Sequence, residues 1–237
     1  LNVSIISVVF DFDSTLATTY VGGEMLRGHT GGMYEDETAE VHQRFRSGIT
    51  TLLEYQEEGF NVIDESISEM SQRAADYAVI RPLAREVCEQ IWNSGGTVAV
   101  ASAGLDIYIR PPLDKAGLDK IEIHAGMVTA DPTGLPPFRY DYPSSFKDTC
   151  QSGGAFCKCG VINSVRRENG GADAEVIFVG DGTVDQCAAT NAADTVFATR
   201  KLFDYCNYNG IPATEFDEDF EPLLSYVLSK ISENGDR

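Results

Sequence analysis

At 237 residues, 43% of them hydrophobic, the chain is long enough to bury a full core and to form one large or two modest domains. Its 37 acidic residues against 18 Lys and Arg give a formal net charge of −19, which excludes partners that need a basic surface, nucleic acid and anionic membranes among them. No apolar run of about 18 residues is present to span a bilayer. No secretory leader is visible. Cys88 and Cys187 sit in apolar helical patterns, as small core residues do in a reducing compartment, so the expected location is the cytoplasm. Asn2-Val3-Ser4 fits the glycosylation pattern, but beside a buried strand it reads as chance.

The first element is an apolar strand, Val8-Val9-Phe10, that runs into Asp11-Phe12-Asp13-Ser14-Thr15-Leu16. Successive strand side chains alternate, so Asp11 and Asp13 are expected to project the same way while Phe10 and Phe12 point to the core. Two acids alone also fit a strand-ending turn. As a pair of anions they repel and raise each other's pKa unless a cation sits between them, and magnesium is the simplest resident.

Residues 17–81 are far longer than one crossover requires, and amphipathic stretches at about 35–46, 49–57 and 62–78 read as an inserted helical cap, punctuated by Gly31-Gly32, Gly48 and Gly59. Arg81-Pro82 returns the chain to the core, and a helix is expected from Pro82 to Ile91, stopped by Gly95-Gly96. A second buried strand, 97–101, ends in Ser102-Ala103-Gly104. A helix over 107–116, broken or delayed by Pro111-Pro112, precedes a third strand at 120–123. Residues 126–142 read as a β-hairpin extension with Asp131-Pro132-Thr133-Gly134 at its tip. A helix at 160–168 leads to the strand 175–179, which ends in Gly180-Asp181-Gly182-Thr183-Val184-Asp185. A short strand at 195–198 and helices near 201–208 and 222–231 complete the chain. Near-continuous Val/Ile/Ala strands mark a parallel sheet covered on both faces. The expected fold is α/β: a Rossmann-like parallel sheet core, residues 1–16 and 82–237, with helices on both faces and a mainly helical cap, 17–81.

Ordered in this way, the motifs resemble those of phosphatases of the haloacid dehalogenase superfamily, in its phosphoserine phosphatase-like branch. Asp11-Phe12-Asp13-Ser14-Thr15 matches the first motif, Ser102 the second, Lys158 the third, and Gly180 to Asp185 the fourth. The resemblance implies a nucleophile at Asp11 that forms an aspartyl-phosphate, and a general acid and base at Asp13. It implies magnesium held by Asp11, Asp181 and the Asp13 carbonyl, with Asp185 in an outer shell. Ser102, the backbone at Ala103 and Gly104, and Lys158 would bind the phosphoryl oxygens. Lys158 rests on its position 23 residues before Asp181; an isolated lysine reads as a surface residue, and Lys147 is a rival. Ser102 by itself also fits a turn, and Asp185 by itself a helix N-cap.

The resemblance also separates the chain from phosphoserine phosphatase itself. Tyr20 stands where that family carries an acid for the serine ammonium, with Glu24 one turn later, so Tyr20 and Glu24 become candidate specificity residues. Leu53-Glu54-Tyr55-Gln56-Glu57 offers no counterpart of its cap arginine, and Val184 replaces its usual Asn. The segment from Asp194 to Pro212 is more similar to methionine-salvage enolphosphate phosphatases and phosphocholine phosphatase-like relatives. The expected activity is hydrolysis of a small phosphorylated metabolite. A phosphomutase or phosphotransferase would use the same residues, and a phosphate-binding protein without turnover would keep the fold. Cys150, Cys157 and Cys159 cluster around Lys158, but without a paired Cys-x-x-Cys they read as reduced thiols and no metal is assigned there.

Overall fold

The computed structural model describes residues 5–27, 35–143 and 156–235. Asn2-Val3-Ser4, Gly31-Gly32, Lys147 and Cys150 lie outside the described residues.

The first strand, β1 (Ile6–Phe10), is buried along its whole length. Ile6, Val8 and Phe10 enter one hydrophobic cluster and Val9 the other, so each face of the strand has its own core. Four helices follow: α1 (Val21–Arg27), α2 (Glu35–Arg46), α3 (Leu52–Asn61) and α4 (Ile67–Tyr77). Both α3 and α4 start later than the hydrophobic pattern indicates, at 52 and 67 rather than 49 and 62, because capping boxes set their first turns. Glu54 and Glu69 reach back to the backbone N–H of Thr51 (2.7 Å) and Ser66 (2.8 Å), whose hydroxyls accept from the Glu54 and Glu69 N–H groups.

The chain re-enters the sheet through α5 (Ala84–Asn93) and β2 (Val98–Leu105). Helix α5 begins two residues after Pro82, because Leu83 takes a left-handed φ of +66° in a turn closed by the Ala84 N–H on the Arg81 carbonyl. Strand β2 runs through Ser102-Ala103-Gly104 rather than ending before them, with a register shift between Ala101 and Leu105.

Helix α6 (Asp106–Lys115) is continuous despite Pro111 and Pro112. Pro111 has no N–H for the Ile107 carbonyl one turn back, and the Ser71 hydroxyl of α4 donates to that oxygen instead, at 3.0 Å. A proline in mid-helix is thus accommodated by a donor from a different segment. Strand β3 (Glu122–Thr129) unites the expected third strand with the first arm of the hairpin, whose return arm is β4 (Arg139–Asp141).

Next come α7 (Cys159–Glu168), β5 (Glu175–Gly180), α8 (Gln186–Asn191), β6 (Thr195–Ala198), α9 (Arg200–Asn209), β7 (Thr214–Glu215) and α10 (Glu221–Gly235). The two-residue β7 is too short to leave a sequence pattern. The sheet has seven strands in the order β4-β3-β2-β1-β5-β6-β7, all parallel except β4. Helices α5, α6 and α10 cover one face, while α7, α8 and α9 cover the other. The strand order reverses direction at β1, and in such sheets the crevice beyond the carboxyl end of that strand is where ligands bind.

Candidate active site

Strand β1 ends at Phe10, so Asp11 and Asp13 converge through a loop and not through strand alternation. Asp11 continues the extended path, its N–H donating to the Val179 carbonyl of β5 at 2.8 Å. Residues 12–16 then form a wide turn in which Ser14 takes a left-handed φ of +60°. That conformation costs a non-glycine residue about 1–3 kcal/mol, so the surroundings must hold it. Ser14 N–H donates to the Thr19 carbonyl at 3.1 Å, and Ala17 N–H to that of Phe12 at 2.9 Å. Arg81 clamps the turn from outside: Nε donates to the Thr15 carbonyl (2.8 Å), Nη2 to that of Ser14 (3.1 Å), and Nη1 to that of Asp217. Its guanidinium also lies over the rings of Phe216 and Phe220.

Beneath this turn Lys158 is completely buried, which removes the surface reading. Its Nζ donates to Asp11 Oδ1 at 2.5 Å and to Asp185 Oδ1 at 2.6 Å. Burial opposes the lysine's charge, but those two carboxylates outweigh it and hold its pKa above the ordinary lysine value. Asp185 Oδ2 accepts from the N–H groups of Asp181 (3.0 Å) and Gly182 (2.9 Å). Asp185 thus braces the loop after β5 with Oδ2 while Oδ1 holds Lys158, and no side-chain cap bond ties it to α8.

Asp11, Asp181 and Asp185 bring carboxylate oxygens within 4.8 Å of one another. One buried ammonium cannot balance them together with Asp13. Burial pushes Asp11 well above the usual carboxylate range, with the Asp185 and Asp181 charges adding to it against the pull of Lys158. Asp181 is raised too, first by burial and then by the Asp185 charge. Such an excess of hard oxygen donors fits a small divalent cation. Burial pushes Asp13 up to about 7, even though Gly22 N–H donates to its Oδ1 at 3.1 Å.

A cavity of about 340 Å³ opens over these groups. Asp11, Asp13, Ser102, Ala103, Gly104 and Asp181 all line it, and Tyr20 stands at its rim, 55% exposed. Lys158 and Asp185 lie below the lining. Glu24 is not part of it; its backbone carbonyl accepts from Arg73 instead. Ser102 Oγ accepts from Gly104 N–H at 3.0 Å, which leaves the hydroxyl proton for an outside oxygen.

Sequence reasoning missed Tyr108, Gln56 and Arg81. Tyr108 packs against Gly22 and Gly104, where an added Cβ would collide with its hydroxyl, so both glycines are needed for the aromatic ring to close the cavity. Gln56 Nε2 donates to the Ala103 carbonyl at 2.9 Å, tying α3 to β2. Gln56 meets Ala103 and Arg81 meets Thr15 only through the fold, so neither leaves a local signal along the chain.

The description of haloacid dehalogenase-like hydrolases matches residues 8–190, from β1 to α8. The chain belongs to this family. It is a phosphatase of this family, a phosphoric monoester hydrolase. It is 24% identical over 164 residues to a 2-hydroxy-3-keto-5-methylthiopentenyl-1-phosphate phosphatase of Exiguobacterium sibiricum, covering 66% of this chain and 70% of that one. A protein of the same name from Bacillus mycoides is 26% identical over 221 residues, covering 93% and 94%. The fold is similar to a solved phospho-aspartyl intermediate analogue of phosphoserine phosphatase, with a TM-score of 0.65 and 20% identity over 94% of this chain and 99% of that one. No helix among the described residues is long and apolar enough to cross a membrane.

Proposed function

We propose that the chain is a magnesium-dependent phosphomonoesterase that works through an aspartyl-phosphate on Asp11. The observation that carries this reading is the gathering of Asp11, Asp13 and Asp181 around one cavity mouth, above a wholly buried Lys158. Asp11, Asp181 and the Asp13 carbonyl would hold the ion, which when bound offsets negative charge on the phosphoryl group and its carboxylate neighbours.

An Asp11 carboxylate oxygen attacks phosphorus, the P–O bond to the ester breaks, and Asp13 gives its proton to the departing alkoxide. A pKa of about 7 suits that donor near neutrality. Asp13 then takes a proton from water as its oxygen attacks the acyl phosphate, and inorganic phosphate leaves with Asp11 restored. The Ser102 hydroxyl donates to a phosphoryl oxygen. Lys158 orients Asp11 from behind and holds the charge of the floor.

Residues 17–81 act as a cap over the core formed by residues 1–16 and 82–237. The two connections lie side by side: Ala17 bridges Ile80, Thr18 N–H donates to the Val79 carbonyl at 2.8 Å, and Arg81 N–H to that of Leu16 at 2.9 Å. A paired ribbon of this kind gives closure a single pivot. The hairpin of β3 and β4 supports the cap from the core side, with Phe138 N–H donating to Asn61 Oδ1 at 2.7 Å.

Above the carboxylates the cavity wall is aromatic and apolar, with Tyr20, Tyr55, Phe60, Tyr108 and Leu26, and no lysine, arginine or histidine lines it among the described residues. A second anionic group on the substrate would meet no cation there. The lining therefore favours an organic part without a second anion, which disfavours phosphoserine and fits the methylthio-substituted ester named for the relatives.

The test is phosphate release from a panel of small monoesters, including that enolphosphate, with magnesium and with chelator, beside Asp11→Asn. Metal-dependent release that vanishes in Asp11→Asn is expected. Turnover by Asp11→Asn near the wild-type rate removes Asp11 as nucleophile, and loss of the ester without free phosphate, with the phosphoryl group recovered on an added alcohol, makes the enzyme a phosphotransferase.

A further inference from the structure

We propose that Cys157, Cys159 and Cys187 form a second metal site, a thiolate site for a zinc-class ion, apart from the carboxylate site. All three sulfurs lie within 4.8 Å of one another. Cys187 Sγ is 3.5 Å from Cys159 Sγ and 3.8 Å from Cys157 Sγ. Zinc binds sulfur at about 2.3 Å, so two sulfurs on neighbouring corners of its tetrahedron stand about 3.8 Å apart. The two separations to Cys187 are close to that edge, and Cys157 Sγ and Cys159 Sγ lie within 4.8 Å of each other. It is far from the roughly 2.05 Å of a disulfide.

The arrangement is built by the fold. Cys157 precedes α7, Cys159 is its first residue, and Cys187 lies in the first turn of α8, so two segments 28 residues apart meet at one point. Lys158, between the first two cysteines, sends its side chain to Asp11 and Asp185 instead. Cys157 and Cys159 are buried while Cys187 is partly exposed, which leaves one open side where water can complete four-coordination. Asn191 Nδ2 donates to Cys187 Sγ at 3.4 Å, the kind of outer hydrogen bond that steadies a sulfur ligand. On binding, each coordinating thiol releases its proton to solvent and the ion is held by three thiolates.

Sequence spacing hides this site because its third ligand sits in an apolar helical pattern and reads as core. A bound ion joins the start of α7 to α8, and with them the backbone of Lys158 and the segment after Asp185. It stiffens the floor of the active site without touching substrate.

The test is titration of the reduced protein with cobalt(II), with magnesium present to occupy carboxylates. The readout is thiolate-to-cobalt charge-transfer absorption, which carboxylate ligation does not produce. The expected result is one equivalent of cobalt per chain, displaced by zinc, with three thiols protected from a thiol reagent. The band is lost in Cys187→Ser and in Cys159→Ser and is unchanged in Cys88→Ser, whose thiol is buried elsewhere. Absence of the band in folded wild-type protein overturns the proposal, as does a band that survives Cys187→Ser. Should Cys159→Ser fail to fold, those two arms still decide.

Discussion

Replacing Lys158 by Met keeps the volume and removes the charge, and its cost can be worked from the contacts of the ammonium. In the metal-free protein Lys158 holds Asp11 and Asp185 at 2.5 and 2.6 Å, and Asp11 is only 7% exposed. Without the ammonium, burial and the Asp185 and Asp181 charges all push Asp11 the same way, toward its neutral form. Asp11 then escapes an uncompensated buried charge by taking up a proton. From an unfolded carboxylate pKa near 3.9, complete protonation costs at most about 4 kcal/mol at pH 7 and about 1.5 kcal/mol at pH 5, part of which the wild type, with Asp11 already raised, also bears. The pH 7 figure agrees with the roughly 3–5 kcal/mol typical of breaking a buried ion pair. The sign follows from linkage: a carboxyl whose folded pKa is raised binds more protons folded than unfolded, so the variant loses stability as pH rises. Denaturant unfolding in chelator at both pH values, wild type beside Lys158→Met, measures the deficit; at pH 7 it corresponds to a Tm drop of roughly 8–16 °C. A deficit equal at pH 5 and pH 7 would mean that lost packing, not charge, sets the cost. A deficit under about 1 kcal/mol at pH 7 would refute the role of Lys158 in holding the carboxylates.

The remaining predictions concern other parts of the same machinery. Asp13, pushed up to about 7, carries its proton below that pH and loses it above, so kcat/KM for esters with poor leaving groups falls about tenfold per unit at higher pH. Asp13→Asn lowers the rate by about 10²–10⁴, and a profile flat across this range in steady-state kinetics refutes the assignment. Ser71→Ala strands the Ile107 carbonyl and destabilises by about 1–2 kcal/mol, whereas in a Pro111→Ala background, where the new N–H reaches that carbonyl, the same change costs little. Denaturation of the four proteins of that cycle checks it. Arg81→Lys cannot reproduce the fork that holds Ser14, Thr15 and Asp217, so it lowers both Tm and kcat, and a variant with wild-type melting and turnover refutes the clamp.

Asp13 and Lys158 show two uses of burial in one site. Desolvation, only partly offset by backbone hydrogen bonds from Gly22 and Val21 and the pull of Lys158, leaves Asp13 titrating near neutrality, fit to exchange protons. Desolvation between two carboxylates leaves Lys158 permanently charged, fit only to hold them.

Much of this protein was legible one segment at a time. The Val/Ile/Ala runs at β1, β2 and β5 marked a sheet covered on both faces, and the two apolar clusters bear that out. Small and acidic residues toward the carboxyl ends of those strands, at Asp11, Asp13, Ser102 and Asp181, marked the edge where the cavity opens. The capping boxes Thr51-x-x-Glu54 and Ser66-x-x-Glu69 set two helix starts that the reading by hydrophobic pattern misplaced. These are local signals, carried by period, capping and strand ends. Other features depended on chain that folds back from far away. A lysine whose own segment marks it as surface becomes fully buried because Asp11, 147 residues distant, and Asp185 need its charge. A helix with two prolines survives because Ser71 of another helix meets the freed carbonyl. Glu24 stays out of the cavity while Tyr108 enters it, and Cys187 joins two cysteines in a segment 28 residues away. Pattern along the chain determined the elements and their order; which side chains meet was decided only in the tertiary structure, because burial, charge balance and hydrogen-bond satisfaction are settled among neighbours in space.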